Sequence, residues 1–254
     1  MDCIWYIVSL RIGKCGKGIF QDPTLDRVLF SKNIFCILTW NELTYLERPP
    51  TVTSERAPLL LLLHGYGSNE ADLFGFVTYL PEHYHVISLQ APYTLGPQSF
   101  AWYAINFDAE KGKFSDEKQA RSSRDLIHQF IGHICTEKHL NRDNVTLLGF
   151  SQGAILSYAI AFTYPKTIQQ VIALSGYCNE SLMPEDWQLQ NLDGLSIYAA
   201  HGKSDAVIPI NWAQQSAALL RSVPDLKFEF QEFDMGHAVS QESFADMMRW
   251  MNSL

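Results

Sequence analysis

The stretch Gly149-Phe150-Ser151-Gln152-Gly153 places a serine between two glycines. This G-x-S-x-G spacing is typical of a nucleophilic serine on a strained strand-to-helix turn, where side chains at the glycine positions would clash. The flanking sequence fits that turn, because an apolar VTLL run precedes the motif and a helix-like AILSYAIAF run follows it. We therefore predict that Ser151 is a nucleophile. The alternative is a serine that only begins a helix.

A serine hydroxyl needs a general base, and the histidines downstream of Ser151 are His201 and His237. With this motif the order along the chain is serine, acid, then histidine. His237 follows the last predicted strand, and Asp205 lies just beyond the end of an earlier one. We predict that His237 is the general base and that Asp205 orients its imidazole. Asp234 is the alternative acid, but it lies only three residues before His237.

Two backbone N–H groups are predicted to form an oxyanion hole. One belongs to Gln152, directly after the serine, and the other to Tyr66, in the HGYG loop that follows the LLLLL run. The glycines on both sides of Tyr66 let the backbone approach a substrate closely, although the same residues also suit a simple glycine turn. His64 precedes the serine in the chain, so we expect it to be structural.

Short apolar runs alternate with helical patterns along the chain from residue 43 onward. The predicted strands are LTYLE, LLLLL, HVISL, VTLLG, QVIALSG, LSIYAA and LKFEFQEF. The predicted helices cover residues 116–139, 152–163, 211–223 and 240–254, the last with Ser240 as its N-cap. This alternation predicts an α/β fold, with a mostly parallel central sheet and helices on both faces. Such sheets carry their sites at the carboxyl ends of the strands, where the residues above fall.

The composition excludes several classes of function. The 254-residue chain is 47% hydrophobic and has a net charge of −8, so we expect a globular protein that does not bind nucleic acid. It contains no HExxH, GxGxxG or phosphate-loop motif, and we therefore expect no metal and no cofactor. Its five cysteines include no CxxC pair, which favours a reducing compartment over a disulfide framework or a zinc site.

The first residues differ in character from the rest. Residues 1–41 show no clean periodicity, so we interpret them as an N-terminal extension or as an upstream segment of a mis-assigned start, before a domain at 42–254. Their apolar residues come before the basic ones, which is not the order of a secretory signal. No apolar stretch reaches the roughly 18 residues of a membrane span. We expect a cytoplasmic protein, with an uncleaved membrane-associating start as the alternative, and no particular oligomeric state is specified.

Five ordered blocks carry a resemblance to a known family: LLLLHGYGSNEADL, GFSQGA, ALSGY, HGKSDAVIP and GHAVS. They resemble the phospholipase/carboxylesterase family of α/β-hydrolases, which includes acyl-protein thioesterases and small bacterial carboxylesterases. The resemblance covers residues 43–254 and implies an α/β-hydrolase fold and a metal-independent serine hydrolase that cleaves esters or thioesters. The residues that it assigns to the triad and the oxyanion hole are Ser151, Asp205, His237, Tyr66 and Gln152.

The sequence departs from that family at residues 91–108. The family often has a glycine-arginine-aromatic pattern there, whereas this chain has QSFAWY at 98–103. Aromatic side chains after a strand end suit an acyl groove, although they would equally suit a small core under a long loop. The candidate substrate-binding residues are Phe100, Trp102, Tyr103, Tyr177 and Val207.

We predict a serine hydrolase that cleaves carboxylic esters with small or medium acyl chains, through an acyl-enzyme on Ser151. Its partner is then a small-molecule ester or an acylated substrate. An acyl-protein thioesterase or a lysophospholipase would use the same mechanism. A more distant alternative is a non-catalytic ligand-binding α/β-hydrolase, and a peptidase is disfavoured because the sequence contains no large lid domain.

Overall fold

A computed structural model describes residues 43–52, 54–108 and 112–253. The predicted extension at 1–41 lies outside the described residues, so its boundary with the domain stays a prediction. The strands are β1 Tyr45–Arg48, β2 Pro58–Leu63, β3 His85–Leu89, β4 Tyr93–Gly96, β5 Ser99–Ala101, β6 Ile105–Asp108, β7 Gly112–Ser115, β8 Asn141–Phe150, β9 Gln170–Leu174, β10 Ser196–Gly202 and β11 Lys227–Phe233. The α-helices are α1 Ala71–Phe74, α2 Glu117–Glu137, α3 Gln152–Thr163, α4 Ile210–Arg221 and α5 Gln241–Asn252.

Seven strands form the central sheet, in the order β1-β3-β2-β8-β9-β10-β11. Of the six neighbouring strand pairs in this sheet, β1–β3 is antiparallel and the other five are parallel. The mostly parallel sheet that the alternating pattern predicts is therefore confirmed. Because parallel strands share one direction, the carboxyl ends of β2, β8, β9, β10 and β11 meet at one edge of the sheet.

The leucine run of β2 shows how both faces of the sheet are covered. Leu59, Leu61 and Leu63 join a core cluster with side chains of α2 and α3. Leu60 and Leu62 point the other way and join a second cluster with side chains of α1 and α5. Since successive side chains of a strand face opposite sides, a continuous apolar run requires an apolar layer on each face.

The helix ends follow local capping chemistry. Asp116 precedes α2, and its side chain accepts a hydrogen bond from the N–H of Gln119. Ser240 caps α5, with its side chain and that of Ser243 exchanging bonds with each other's backbone N–H. The predicted cap at Ser240 is thus confirmed. Within the described ranges, no helix is both long and apolar enough to cross a membrane.

Two hairpins occur where the sequence predicts no regular structure. Strands β4 and β5 pair antiparallel with an irregular register, and β6 pairs with β7. Each of these strands has only three or four residues, which is too short for a two-residue period to stand out. Both hairpins lie between β3 and α2, and β4, β5 and β6 fall within residues 91–108, where the sequence departs from the family pattern.

Candidate active site

Ser151 lies on the sharp turn between β8 and α3. Its backbone has φ 54° and ψ −115°, a conformation that non-glycine residues rarely adopt. A Cβ on Gly149 would lie 2.4 Å from the carbonyl carbon of Gly153, and one on Gly153 would lie 2.0 Å from the carbonyl oxygen of Leu63. Both positions therefore require glycine, and the strained strand-to-helix turn predicted from the motif is present.

The structure brings together the three side chains that the sequence predicts as a triad. The Ser151 hydroxyl lies 2.9 Å from Nε2 of His237, and Nδ1 of His237 lies 2.7 Å from Oδ2 of Asp205. When Nδ1–H donates to the carboxylate, Nε2 of the neutral ring is left to accept from the serine hydroxyl. The arrangement can therefore take a proton from Ser151 as the serine attacks.

Asp205 is held as a charged group at the carboxyl end of β10. Its side chain is fully buried, and Oδ1 accepts hydrogen bonds from the N–H groups of Val207 at 2.8 Å and Ile208 at 2.9 Å. Burial by itself would raise the pKa of Asp205, but the bonds from His237 and from these two N–H groups together hold the pKa below its usual value. The carboxylate thus stays ionised next to the His237 imidazole.

The two alternative residues lie elsewhere. His201 is buried at the end of β10, and its Nε2 donates to the carbonyl oxygen of Ile208 at 2.9 Å. The same nitrogen is 3.4 Å from Oδ2 of Asp205, so His201 borders the acid and not the serine. Asp234 pairs with Lys203 at 2.9 Å on the surface, where 86% of its side chain is exposed. Neither residue contacts the Ser151 hydroxyl.

The HGYG loop lies directly against Ser151. A Cβ on Gly65 would be 3.3 Å from Cβ of Ser151. Within the described ranges, neither the Tyr66 N–H nor the Gln152 N–H donates to a protein acceptor. Both predicted donors are therefore free to bind a ligand, as an oxyanion hole requires.

His64 supports this loop from behind. Its Nδ1 donates to the carbonyl oxygen of Gly65 at 2.7 Å, and its Nε2 accepts from the N–H of Ala91 at 3.0 Å. Burial lowers the pKa of His64, which keeps the ring neutral and matches these donor and acceptor roles. The carbonyl and N–H of a trans peptide point in opposite directions, so holding the Gly65 carbonyl fixes the direction of the Tyr66 N–H.

Two of the predicted groove residues belong to the core instead. Trp102 is 0% exposed and Tyr103 is 2% exposed. The Trp102 indole N–H donates to the carbonyl oxygen of His64, and burial strongly raises the pKa of the Tyr103 hydroxyl. This corrects the groove interpretation of these two side chains, because the β4–β5 hairpin folds them inward. Phe100 is half-buried against the same core.

Tyr177 and Val207 both lie near the triad, Val207 at the surface and Tyr177 partly buried against the core. Tyr177 follows Gly176, where an added Cβ would be 3.3 Å from the carbonyl oxygen of Ser151, and Val207 is 52% exposed. The sequence analysis missed Trp212, which is 44% exposed in the first turn of α4 and meets the ring of Tyr177 at 5.0 Å between centroids. The sequence signal that could have found Trp212 is its position only seven residues after Asp205, the predicted acid. Tyr66, Tyr177, Val207 and Trp212 are called the apolar rim below.

Among the residues whose placement is described, no three His, Cys, Asp or Glu side chains are grouped so as to hold a metal ion. The two described cysteines, Cys135 and Cys178, are free and buried, and burial raises the pKa of the Cys135 thiol to about 11. They are therefore not placed to compete with Ser151 as a nucleophile.

Comparison with known proteins shows which family the chain resembles. The phospholipase/carboxylesterase family profile matches residues 51–254. Acyl-protein thioesterase 1 of Kluyveromyces lactis is 25% identical over 207 residues, which cover 76% of this chain and 90% of that protein. Esterase YpfH of Escherichia coli is 28% identical over 193 residues, which cover 73% of this chain and 78% of that protein.

Solved structures share the fold. The carboxylesterase of Bacillus cereus superposes with a TM-score of 0.71 at 21% identity, covering 83% of this chain and 94% of that one. Acyl-protein thioesterase 2 of Zea mays gives a TM-score of 0.63 at 19% identity, covering 82% and 97%. Because the family profile spans well over half of the sequence, this chain belongs to the phospholipase/carboxylesterase family of α/β-hydrolases and is an enzyme of the carboxylic ester hydrolase class.

Proposed function

We propose that the protein hydrolyses carboxylic esters with small or medium acyl chains, with Ser151, His237 and Asp205 as its catalytic triad. The observation that carries this proposal is the continuous line of hydrogen bonds, 2.9 Å from Ser151 to His237 and 2.7 Å from His237 to Asp205. A serine hydroxyl is a poor nucleophile without such a base. The strained backbone of Ser151 adds to the argument, because strain is retained where a fold holds a residue for function.

The reaction proceeds in two halves. Ser151 Oγ attacks the acyl carbonyl while His237 Nε2 takes its proton and then delivers that proton to the leaving oxygen. The alcohol departs and the acyl group stays on Ser151. Water, deprotonated by His237, then attacks the acyl-enzyme and releases the acid, with the proton returning through His237 to Ser151. Asp205 stabilises the imidazolium in both halves.

The negative charge that develops on the carbonyl oxygen is stabilised by the N–H groups of Tyr66 and Gln152. Both lie at the edge of the sheet where Ser151 stands, and Gln152 begins α3, whose N-terminus carries a partial positive charge. Fixed donors of this kind need no reorganisation as charge appears. The apolar rim is then the surface that contacts the acyl chain or the leaving group.

A thioesterase acting on acylated proteins, or a lysophospholipase, is the second candidate. The observation that favours it is the similarity to acyl-protein thioesterase 1 of Kluyveromyces lactis over 90% of that protein. The same triad serves a thiol leaving group, since His237 would pass its proton to sulfur in place of oxygen. We further propose a cytoplasmic location, based on five cysteines with no CxxC pair.

The test is a panel of p-nitrophenyl esters from acetate to palmitate, run alongside palmitoyl-CoA and lysophosphatidylcholine. Wild type, Ser151→Ala and Ser122→Ala are compared, because Ser122 is an exposed serine of α2 whose hydroxyl donates to the carbonyl oxygen of Lys118. We expect turnover by the wild type and by Ser122→Ala, and loss of about 10⁶-fold in kcat for Ser151→Ala. The preferred acyl length and leaving group then separate the ester, thioester and lysolipid candidates.

Two results would contradict the proposal. Full activity in a clean Ser151→Ala preparation would remove Ser151 from the mechanism. Failure of the wild type both to turn over any substrate and to be labelled by a fluorophosphonate probe would favour the non-catalytic ligand-binding alternative. Labelling without turnover would retain Ser151 as the nucleophile and reject the substrate classes in the panel.

A further inference from the structure

The HGYG loop and the following Ser68 are paired with strand β5 through their backbone. The N–H of Gly67 donates to the carbonyl oxygen of Phe100 at 2.8 Å, and the N–H of Phe100 donates to the carbonyl oxygen of Ser68 at 2.8 Å. The side-chain amide of Asn69 adds a bond to the carbonyl oxygen of Gln98 at 2.9 Å. The β4–β5 hairpin thus holds the HGYG loop in place through these hydrogen bonds.

Trp102 directly follows β5 and bonds to the segments that carry both predicted oxyanion donors, the HGYG loop and the start of α3. Its indole Nε1 donates to the carbonyl oxygen of His64 at 2.9 Å, two residues before Tyr66. Its backbone N–H donates to the side-chain oxygen of Gln152 at 2.8 Å. The Gln152 side-chain nitrogen then donates to the carbonyl oxygen of Tyr103 at 2.8 Å, which completes a two-bond clamp.

The loop needs such support because it contains flexible backbone. Gly67 adopts φ 79°, and Gly65 lies where a side chain would press on Phe150 and Ser151. Glycines remove steric restriction, so hydrogen bonds must fix the peptide planes instead. An oxyanion donor is effective only within a few tenths of an ångström of the position that the charged oxygen occupies.

We propose that Trp102 is a positioning residue that fixes the spacing between the Tyr66 and Gln152 N–H groups. It does so by donating its indole N–H to the loop and its backbone N–H to the side chain at the start of α3. This inference rests on the proposed function and adds a residue that touches neither the substrate nor the triad. The sequence offered Trp102 as a groove residue, whereas its full burial and its two bonds give it this role.

Trp102→Phe tests the proposal, because it keeps an aromatic ring and removes the indole N–H. Trp187→Phe is the matched control. Trp187 is also buried, and its Nε1 donates to Glu180 at 3.3 Å, in a loop packed on Phe162 of α3 and away from the HGYG loop. Both changes remove the same atoms and one hydrogen bond, so a purely structural role predicts similar losses of Tm and no difference in kcat.

We expect Trp102→Phe to lower kcat about ten- to a hundredfold with KM nearly unchanged, which is less than the loss of a whole oxyanion donor. The affinity for a trifluoromethyl ketone, which forms a charged tetrahedral adduct on Ser151, should fall by a similar factor. The acidic limb of the kcat pH profile should not move, because His237 and Asp205 are untouched. Trp187→Phe should retain wild-type kcat and wild-type affinity for the ketone.

A second variant guards against simple misfolding of Trp102→Phe. Gln152→Met breaks the other bond of Trp102 while keeping the backbone N–H of residue 152. We expect it to lower kcat as well, and the double variant to lose less than the product of the two single losses, because both bonds hold the same unit.

Three results would overturn the proposal: wild-type kcat and ketone affinity in a folded Trp102→Phe, an equal kcat loss in Trp187→Phe, or independent losses in the double variant. These results are distinct from failure of the proposed function, in which the wild type itself hydrolyses no ester.

Discussion

The triad and the apolar rim lie side by side but are built differently. Ser151 and Asp205 are buried, His237 is largely buried, and hydrogen bonds of 2.7 to 2.9 Å join the three side chains. Three of the four rim residues are instead about half exposed, and the contact between Tyr177 and Trp212 is a ring contact only. Directional bonds fix atoms within tenths of an ångström, whereas exposed ring contacts allow side chains to change rotamer.

In the proposed reaction, that difference separates the chemistry, at the triad, from the choice of substrate, at the rim. The triad side chains extend from the carboxyl ends of β8, β10 and β11, so the sheet sets their spacing. The rim extends from the loops that follow the strands and, at Trp212, from the first turn of α4, so it can vary without disturbing the sheet. Substitutions in the triad should therefore remove the reaction, and substitutions in the rim should redirect it.

Asp205→Asn should have the largest effect on this comparison. Replacing the carboxylate removes the charge that stabilises the His237 imidazolium and favours the wrong tautomer, and kcat is expected to fall about 10⁴-fold. Asp234→Asn is the matched control, because Asp234 is exposed and pairs with Lys203. Steady-state ester hydrolysis measures both variants. Equal losses, or a loss below tenfold in Asp205→Asn, would contradict the assigned role.

Gly153→Ala should break the scaffold beneath the triad. The new methyl would lie 2.0 Å from the carbonyl oxygen of Leu63, a backbone atom that cannot swing aside. We expect a loss of more than about 3 kcal/mol in the free energy of unfolding, measured by urea denaturation. Gly96→Ala is the control, since an added Cβ there meets nothing within 4 Å. A Gly153→Ala protein within about 1 kcal/mol of wild type would refute the packing argument.

Trp212→Ala should sharpen the comparison from the rim side. Truncation removes apolar surface beside Tyr177, so longer acyl chains should lose about tenfold in kcat/KM while p-nitrophenyl acetate is nearly unaffected. Hydrolysis rates across the ester panel give the ratio of kcat/KM for long acyl chains to kcat/KM for acetate. Leu189→Ala serves as the control, because Leu189 is 88% exposed and lies outside the rim. An equal loss for all chain lengths would place Trp212 in the scaffold and not in substrate selection.

The pH dependence of stability should report the protonation of His64, the buried histidine that holds the HGYG loop. His64 has its pKa lowered by burial, so below about pH 6.5 the unfolded chain binds a proton that the folded chain does not. The free energy of unfolding should therefore fall as the pH is lowered from 7.5 to 5.5, by at most about 1.4 kcal/mol per pH unit from this one group.

His64→Gln tests that assignment, because it removes the titrating ring and retains a polar side chain. Urea denaturation at both pH values should give a shallower decrease for His64→Gln than for the wild type. The charged form of Asp205 acts in a lower range, since its stabilising effect is lost only as the pH falls below about 4. An identical decrease in both proteins between pH 7.5 and 5.5 would exclude His64 as the source.

Much of the fold and the triad could be predicted because the signals are local and periodic. Within a few residues, the LLLLL run indicates a strand buried on both faces, and the G-x-S-x-G motif indicates a close backbone approach. The hairpins β4–β5 and β6–β7 could not be predicted, because their strands are too short to show a period. Trp102 was misinterpreted for the same reason, since only the hairpin decides whether a side chain after a strand end faces substrate or core.

The sequence by itself determined the succession of the seven central strands and helices α2 to α5, the glycines at 149 and 153, and the identity of the three triad candidates. These depend on side-chain size, apolar periodicity and order along the chain. Tertiary structure alone decided that His201 borders the acid, that Trp102 is buried against the oxyanion loop, and that Trp212 joins the rim. These contacts join residues that are distant in the chain, and no local pattern encodes which of several aromatic or imidazole rings a folded sheet edge brings together.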